Sequence, residues 1–163
     1  MLLKTIKDKY TFEFIDKGSR FIAYVEPISD IGTFKDILSS YKKNNPKSSH
    51  VCNGYRTYDG NGIIEYSSDD GEPRGSAGLP ILNVLKRNNL INVAGYVIRF
   101  FGGVKLGIPG LINAYEVSIL KALSNANLIE WEPRDLLYIT YSYQQSRIVE
   151  SILEQYRVNI IDE

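Results

Sequence analysis

Two glycine-rich loops hold most of the residues in this chain that could do chemistry. In the first, Asp69, Asp70 and Glu72 stand just ahead of Arg74, Gly75 and Ser76; the second reads Gly102-Gly103-Val104-Lys105-Leu106-Gly107. Each loop follows an apolar run and opens a helical pattern. Glycine lets a backbone approach a ligand closely, and a helix N-terminus offers unpaired N–H groups and positive potential to an anion. Anion binding is therefore the first chemistry to weigh. A plainer reading stands beside it. DDGE suits a solvated turn whose acids favour the helix that follows. Ser76 suits an N-cap, and Lys105 can extend from a tight turn into water.

Other chemistries are weaker. Three clustered acids could hold magnesium, which takes a few carboxylates plus water, but a solvated turn explains them as well and no metal is expected. The second loop is not a Walker loop, because its lysine is misplaced and no Ser or Thr follows. No cofactor is expected. Arg99 lies inside an apolar strand, where a guanidinium needs a carboxylate or a ligand anion. An acid among Asp69, Asp70 and Glu72 is the natural partner, in a pairing that would tie the two loops together. His50 and Cys52, two apart on a strand, point to one face. They are the only histidine and the only cysteine, so neither a closed zinc site nor a Ser-His-Asp triad follows from them. A thiol–imidazole pair is also poorly placed at that spacing, and no catalytic residue is assigned.

The elements that must position these residues read as an α+β layer. Residues 10–14 and 20–27 alternate as two strands around the turn Asp16-Lys17-Gly18. Residues 33–44 place Phe34, Ile37, Leu38 and Tyr41 on one helical face, ended by Asn44-Asn45-Pro46. Residues 50–58 and 63–67 suggest a hairpin. Residues 77–86 read as a helix with Pro80 in its first turn, 93–101 as a strand buried on both faces, and 109–125 as the longest helix. The order ββαββαβα predicts helices covering a mostly antiparallel sheet. A boundary falls near Trp131-Glu132-Pro133, giving domains 1–132 and 133–163. Beyond it, 136–143, 145–156 and 158–161 read as strand, helix and strand.

Composition sets outer limits. A chain of 163 residues with 44% hydrophobic content can bury one core and carry a small appendage. No apolar run is long enough to span a membrane, no signal peptide is evident, and one cysteine suits a reducing compartment, so a cytoplasmic protein is expected. Net charge is zero overall; residues 1–134 carry 17 basic and 14 acidic side chains, residues 135–163 carry 2 and 5. A mildly basic main domain permits nucleic-acid contact without demanding it.

The segments DDGEPRGSAGLPIL at 69–82 and VIRFFGGVKLG at 97–107, with KGSRFIAYV at 17–25 and His50-Val51-Cys52, resemble the IMPACT/YigZ family (uncharacterised protein family 0029). The resemblance runs from Lys17 to Leu123. It implies a fold like domain IV of elongation factor G and a related ribosomal small-subunit protein, followed by a partial ferredoxin-like segment similar to one near that factor's C-terminus. Eukaryotic relatives act in translational control. A non-enzymatic binding protein that contacts RNA or the ribosome is therefore implied, with Lys17, Arg20, Arg56, Arg74, Ser76 and Lys105 toward phosphates and Tyr55 or Tyr58 for stacking. Departures exist: family members usually carry a lysine at Leu79, an arginine at Asn113, and Gly-Gly at Pro109-Gly110. Two alternatives stay open. One is a phosphate-ligand enzyme using the glycine loops, since some small-molecule kinases share this superfold; the other is a protein-interaction module acting through the tail. In a ferredoxin-like fold a further strand lies between the two of the tail, so its open edges call for cover, either by docking of residues 136–143 on the main domain or, the favoured route, by a homodimer through this segment.

Overall fold

The computed structural model describes residues 2–134, 137–156, 158 and 161. The chain divides into two compact units, Met1–Pro133 and Arg134–Glu163.

In the first unit the strands β2 (Tyr10–Asp16), β3 (Ser19–Pro27), β4 (His50–Tyr58), β5 (Ile63–Ser68) and β6 (Val93–Phe100) form one sheet in the order β2-β3-β6-β4-β5. Every neighbouring pair is antiparallel. β2 and β3 are joined by a two-residue turn, Lys17-Gly18, with φ of 45° and 79°. Positive φ at both central residues gives the turn a twist that matches the strands. β6 holds the centre because it is apolar on both faces. Its residues Val93 and Val97 join one core cluster with α2 (Gly78–Arg87) and α3 (Gly107–Leu123). The intervening Ala94, Tyr96 and Ile98 join a second cluster with Phe34 and Tyr41 of α1 (Ile31–Asn44). The sheet is thus a middle layer between one helix and two. Arg99 falls in the alternation of Val93 and Val97, toward α2 and α3.

Helix limits follow local chemistry. Asp30 caps α1 by accepting from Thr33 N at 2.8 Å, and Lys42 and Lys43 occupy its last turn, where positive charge suits the helix dipole. α3 starts at Gly107 rather than at Pro109, so the proline sits in the first turn, which needs no N–H there. A second sheet, β1 (Leu3–Thr5) paired antiparallel with β7 (Ile129–Trp131), is absent from the sequence reading. Three residues are too few to show a period, and the partner lies at the far end of the unit.

The second unit departs from the expected βαβ. Residues 137–142 form no regular element, a 3₁₀ turn covers Tyr143–Gln145, and α4 spans Ser146–Leu153. A strand requires a ladder partner for its N–H and C=O groups, and no strand is present among the described residues of this unit to supply one. Residues 135 and 136, and residues 159 and 160 of the expected strand 158–161, lie outside the described residues. Among the described residues no helix is long and apolar enough to cross a membrane.

Candidate functional site

The sheet register gathers both glycine loops at one end. Arg20 of β3 is opposite Phe100, and His50 of β4 is opposite Arg99. The β2–β3 turn, the exit of β6, the segment between α1 and β4, and the first turn of α3 therefore share this edge. The loop between β5 and α2 joins them, since Gly71 faces the His50 ring.

Beneath the edge is a closed polar cluster. Arg99 Nη1 donates to Glu72 Oε1 at 2.6 Å, with side chains only 6% and 4% exposed. Tyr115 Oη of α3 donates to the same oxygen at 2.7 Å. Ser19 Oγ accepts from Arg99 Nη2 and from Gly102 N, each at 3.2 Å. One guanidinium thus joins the first loop, the second loop and β3. Its Nε is buried without a hydrogen-bond partner among the described residues. His50 Nε2 lies 3.9 Å from Glu72 Oε1, while His50 Nδ1 donates to Asp70 O at 2.8 Å.

The other two acids also face inward. Asp69 accepts from Gly75 N at 2.8 Å, Ala77 N at 3.0 Å and Gly78 N at 2.9 Å. The anion at the N-terminus of α2 is therefore a side chain of the protein itself. Asp70 accepts from Val51 N at 2.7 Å and from Lys42 Nζ at 2.6 Å. Among the described residues no group of three His, Cys, Asp or Glu is arranged to hold a metal.

Two glycines serve close backbone packing. A Cβ on Gly102 would fall 1.9 Å from the Gly18 carbonyl carbon, and one on Gly78 would fall 2.6 Å from the Ser68 backbone. No side chain fits at either place.

Cys52 donates from Sγ to Asp69 O at 3.0 Å, and burial pushes its thiol well up. A thiol held in that state is a poor nucleophile. Burial likewise raises the Tyr115 phenol.

The residues expected to meet phosphates divide. Lys17, Arg74 and Lys105 are exposed and form no ion pair among the described residues. Arg20 is exposed but forked onto Glu13 at 2.6 and 3.0 Å. Arg56 is buried, donating to Glu65 Oε1 at 2.9 Å and Leu90 O at 2.8 Å, and does not reach this end. Ser76 is buried too; its Oγ donates to Pro73 O at 2.6 Å, so the capping role expected of it belongs to Asp69. Tyr55 is core, stacked on Tyr66 at 5.4 Å, and Tyr58 lies against Trp131 at 5.3 Å. Neither offers a face at the basic end. Lys43 and Lys47, also exposed and without an ion pair among the described residues, do stand there, as does Phe101. Sequence reasoning passed over them because only the register reveals which end of the sheet α1 reaches.

An α+β domain with a basic rim over a sealed ion pair is the class these features define. Residues 17–123 match the model of the Impact N-terminal domain, and the chain belongs to that family. The segments at 17–25, 50–52, 69–82 and 97–107 all lie inside the match. The IMPACT family member YvyE of Bacillus subtilis is 32% identical over 93% of this chain and 69% of its own length. An IMPACT family member of Haemophilus influenzae is 32% identical over 96% of this chain and 77% of its own. A crystal structure of a hypothetical protein superposes with a TM-score of 0.75 at 27% identity, covering 99% of this chain and 80% of that one.

Proposed function

We propose that this protein is a non-enzymatic binding protein of the cytoplasm that contacts RNA or the ribosome through the basic end of its sheet, in the service of translational control. The observation that carries the reading is an imbalance. Lys17, Lys43, Lys47, Arg74 and Lys105 project there without ion pairs among the described residues, while Asp69, Asp70 and Glu72 are drawn inward by N–H groups and by Lys42 and Arg99. A locally positive surface on a chain of zero net charge suits a polyanion. The same occupancy weighs against the enzyme reading, which needs those acids as a base or metal set. Family membership supports the link to translation. It also favours residues 1–132 as a relative in fold of domain IV of elongation factor G.

Fluorescence anisotropy on labelled RNA at several ionic strengths tests this function. With about three to five phosphate contacts, the log–log salt slope is about −2 to −4. Absence of binding at low salt, or binding untouched by Lys17→Glu with Lys105→Glu, overturns the reading.

The second unit supports a separate proposal, self-association. Leu137, Tyr138, Tyr143, Ile148, Tyr156 and Ile161 are each more than 60% exposed, and a second copy is the partner proposed to cover them.

A further inference from the structure

We infer that the RNA is bound single-stranded and that Phe101 is the platform on which one of its unpaired bases stacks. This rests on the RNA-binding reading above. It adds a strand form and a recognition residue.

Phe101 is 50% exposed at the exit of the central strand β6. Its position is fixed from several sides. Phe101 N donates to Ser49 Oγ at 3.2 Å, and the next residue, Gly102, is pressed against Gly18 and bonded to Ser19. Arg99 Cζ lies 5.4 Å from the ring centroid, and Arg99 is itself held by buried Glu72. The ring is thus braced by a cation that cannot swing away. A preset aromatic surface loses little freedom when a planar ligand settles on it.

Charge around the ring selects the ligand. Because β6 lies between β3 and β4, Phe101 is flanked on one side by the Lys17-Gly18 turn and on the other by the segment of Lys47 to Ser49. Lys105 follows in its own loop. A backbone crossing the sheet end from Lys17 toward Lys47 carries its phosphates past cations and one base across the ring. Aromatic rings interleaved with cations suit single strands, whose bases present their faces; a duplex keeps those faces stacked inside. Val104 and Ile108 are also exposed, at 53% and 54%, which would suit an apolar protein partner, but the surrounding lysines favour the polyanion.

The test uses the full chain with three labelled probes of equal length: a single-stranded RNA homopolymer, the corresponding abasic ribose-phosphate strand, and duplex RNA. Phe101→Leu is expected to weaken the homopolymer about tenfold and to leave the abasic strand unchanged, while Phe101→Trp retains homopolymer affinity. Lys105→Glu is expected to weaken all three probes. If Phe101→Leu leaves homopolymer affinity intact while Lys105→Glu lowers it, stacking is overturned and the electrostatic reading stands. Equal losses on homopolymer and abasic strand, or failure of the tryptophan variant to retain affinity, also overturn stacking, because the loop rather than the ring is then responsible. If the wild-type chain binds no probe at low salt, both readings fall.

Discussion

Arg99 on β6 and Glu72 on the loop before α2 form a buried ion pair at 2.6 Å, and this contact couples the two glycine loops. The glutamate carboxylate also holds Tyr115 of α3. One pair of charges therefore connects the sheet, the first loop and the longest helix.

Removing the guanidinium leaves the Glu72 carboxylate buried and uncompensated, with Tyr115 Oη its one hydrogen-bond donor among the described residues. Arg99→Ala is expected to destabilise the protein by about 3–5 kcal/mol, measured by urea denaturation. Arg99→Met combined with Glu72→Gln removes both charges and is expected to cost less than Arg99→Ala alone. A single variant as stable as the parent defeats the claim that this pair secures the loops.

Asp69 is a remote cap. Its two oxygens serve three N–H groups at the start of α2, where Ala77 offers no side-chain cap of its own. Asp69→Ala is expected to cost about 2 kcal/mol, the upper end for a lost cap, because all three donors lose their acceptor together. Asp69→Asn keeps one acceptor oxygen and is expected to lose less. Equal stability of both variants and the parent in denaturant titration would falsify this role.

The sequence made some of this site legible. An arginine amid the apolar residues 93–101 must be compensated, and three acids beside a glycine turn were the evident source. Which acid it was could not be read. Asp70 adopts φ of 44° and Gly71 φ of 93°, and such turns redirect the chain in a way that residue spacing does not disclose. Capping rules are local, so they pointed to Ser76 instead of Asp69. Arg56 looked like a surface cation because strands usually alternate, yet β4 is buried on both faces and its guanidinium finds the Leu90 carbonyl from a distant loop. The main strands and helices were legible because each is long enough to show a period. β1 and β7 were not.

Burial raises the Cys52 thiol and the Tyr115 and Tyr96 phenols above their ordinary values. For such groups the folded state holds the proton more tightly than the unfolded state does. Their contribution to stability is complete below the unfolded pKa and falls as pH rises through it toward the folded value. The decline is expected to begin at about pH 8.5 for the thiol and about pH 10 for the phenols. Melting temperature followed from pH 7 upward checks it, and Cys52→Ala is expected to flatten the first part of the fall. A wild-type Tm that stays level to about pH 10 contradicts the assignment of Cys52 as buried and protonated.

None of the described residues of the unit Arg134–Glu163 is buried. Ile148 and Ile152 lie one helical turn apart on α4 and are 63% and 49% exposed, while Tyr138 and Tyr143 are 86% and 94% exposed. Exposed side chains of this size, concentrated in about thirty residues, are more than the scattered apolar residues of an ordinary exterior and fit the self-association proposed above. Association of two copies would let the same patch cover itself about a two-fold axis. Sedimentation velocity of the full chain against one ending at Pro133 decides the matter. The full chain is expected to sediment as a dimer that dissociates on dilution, and the shorter chain as a monomer with the main domain's thermal transition preserved. Double substitution of Ile148 and Ile152 by Asp is expected to convert the full chain to a monomer without lowering that transition. If full-length and shortened chains both sediment as monomers at all concentrations, the tail does not self-associate.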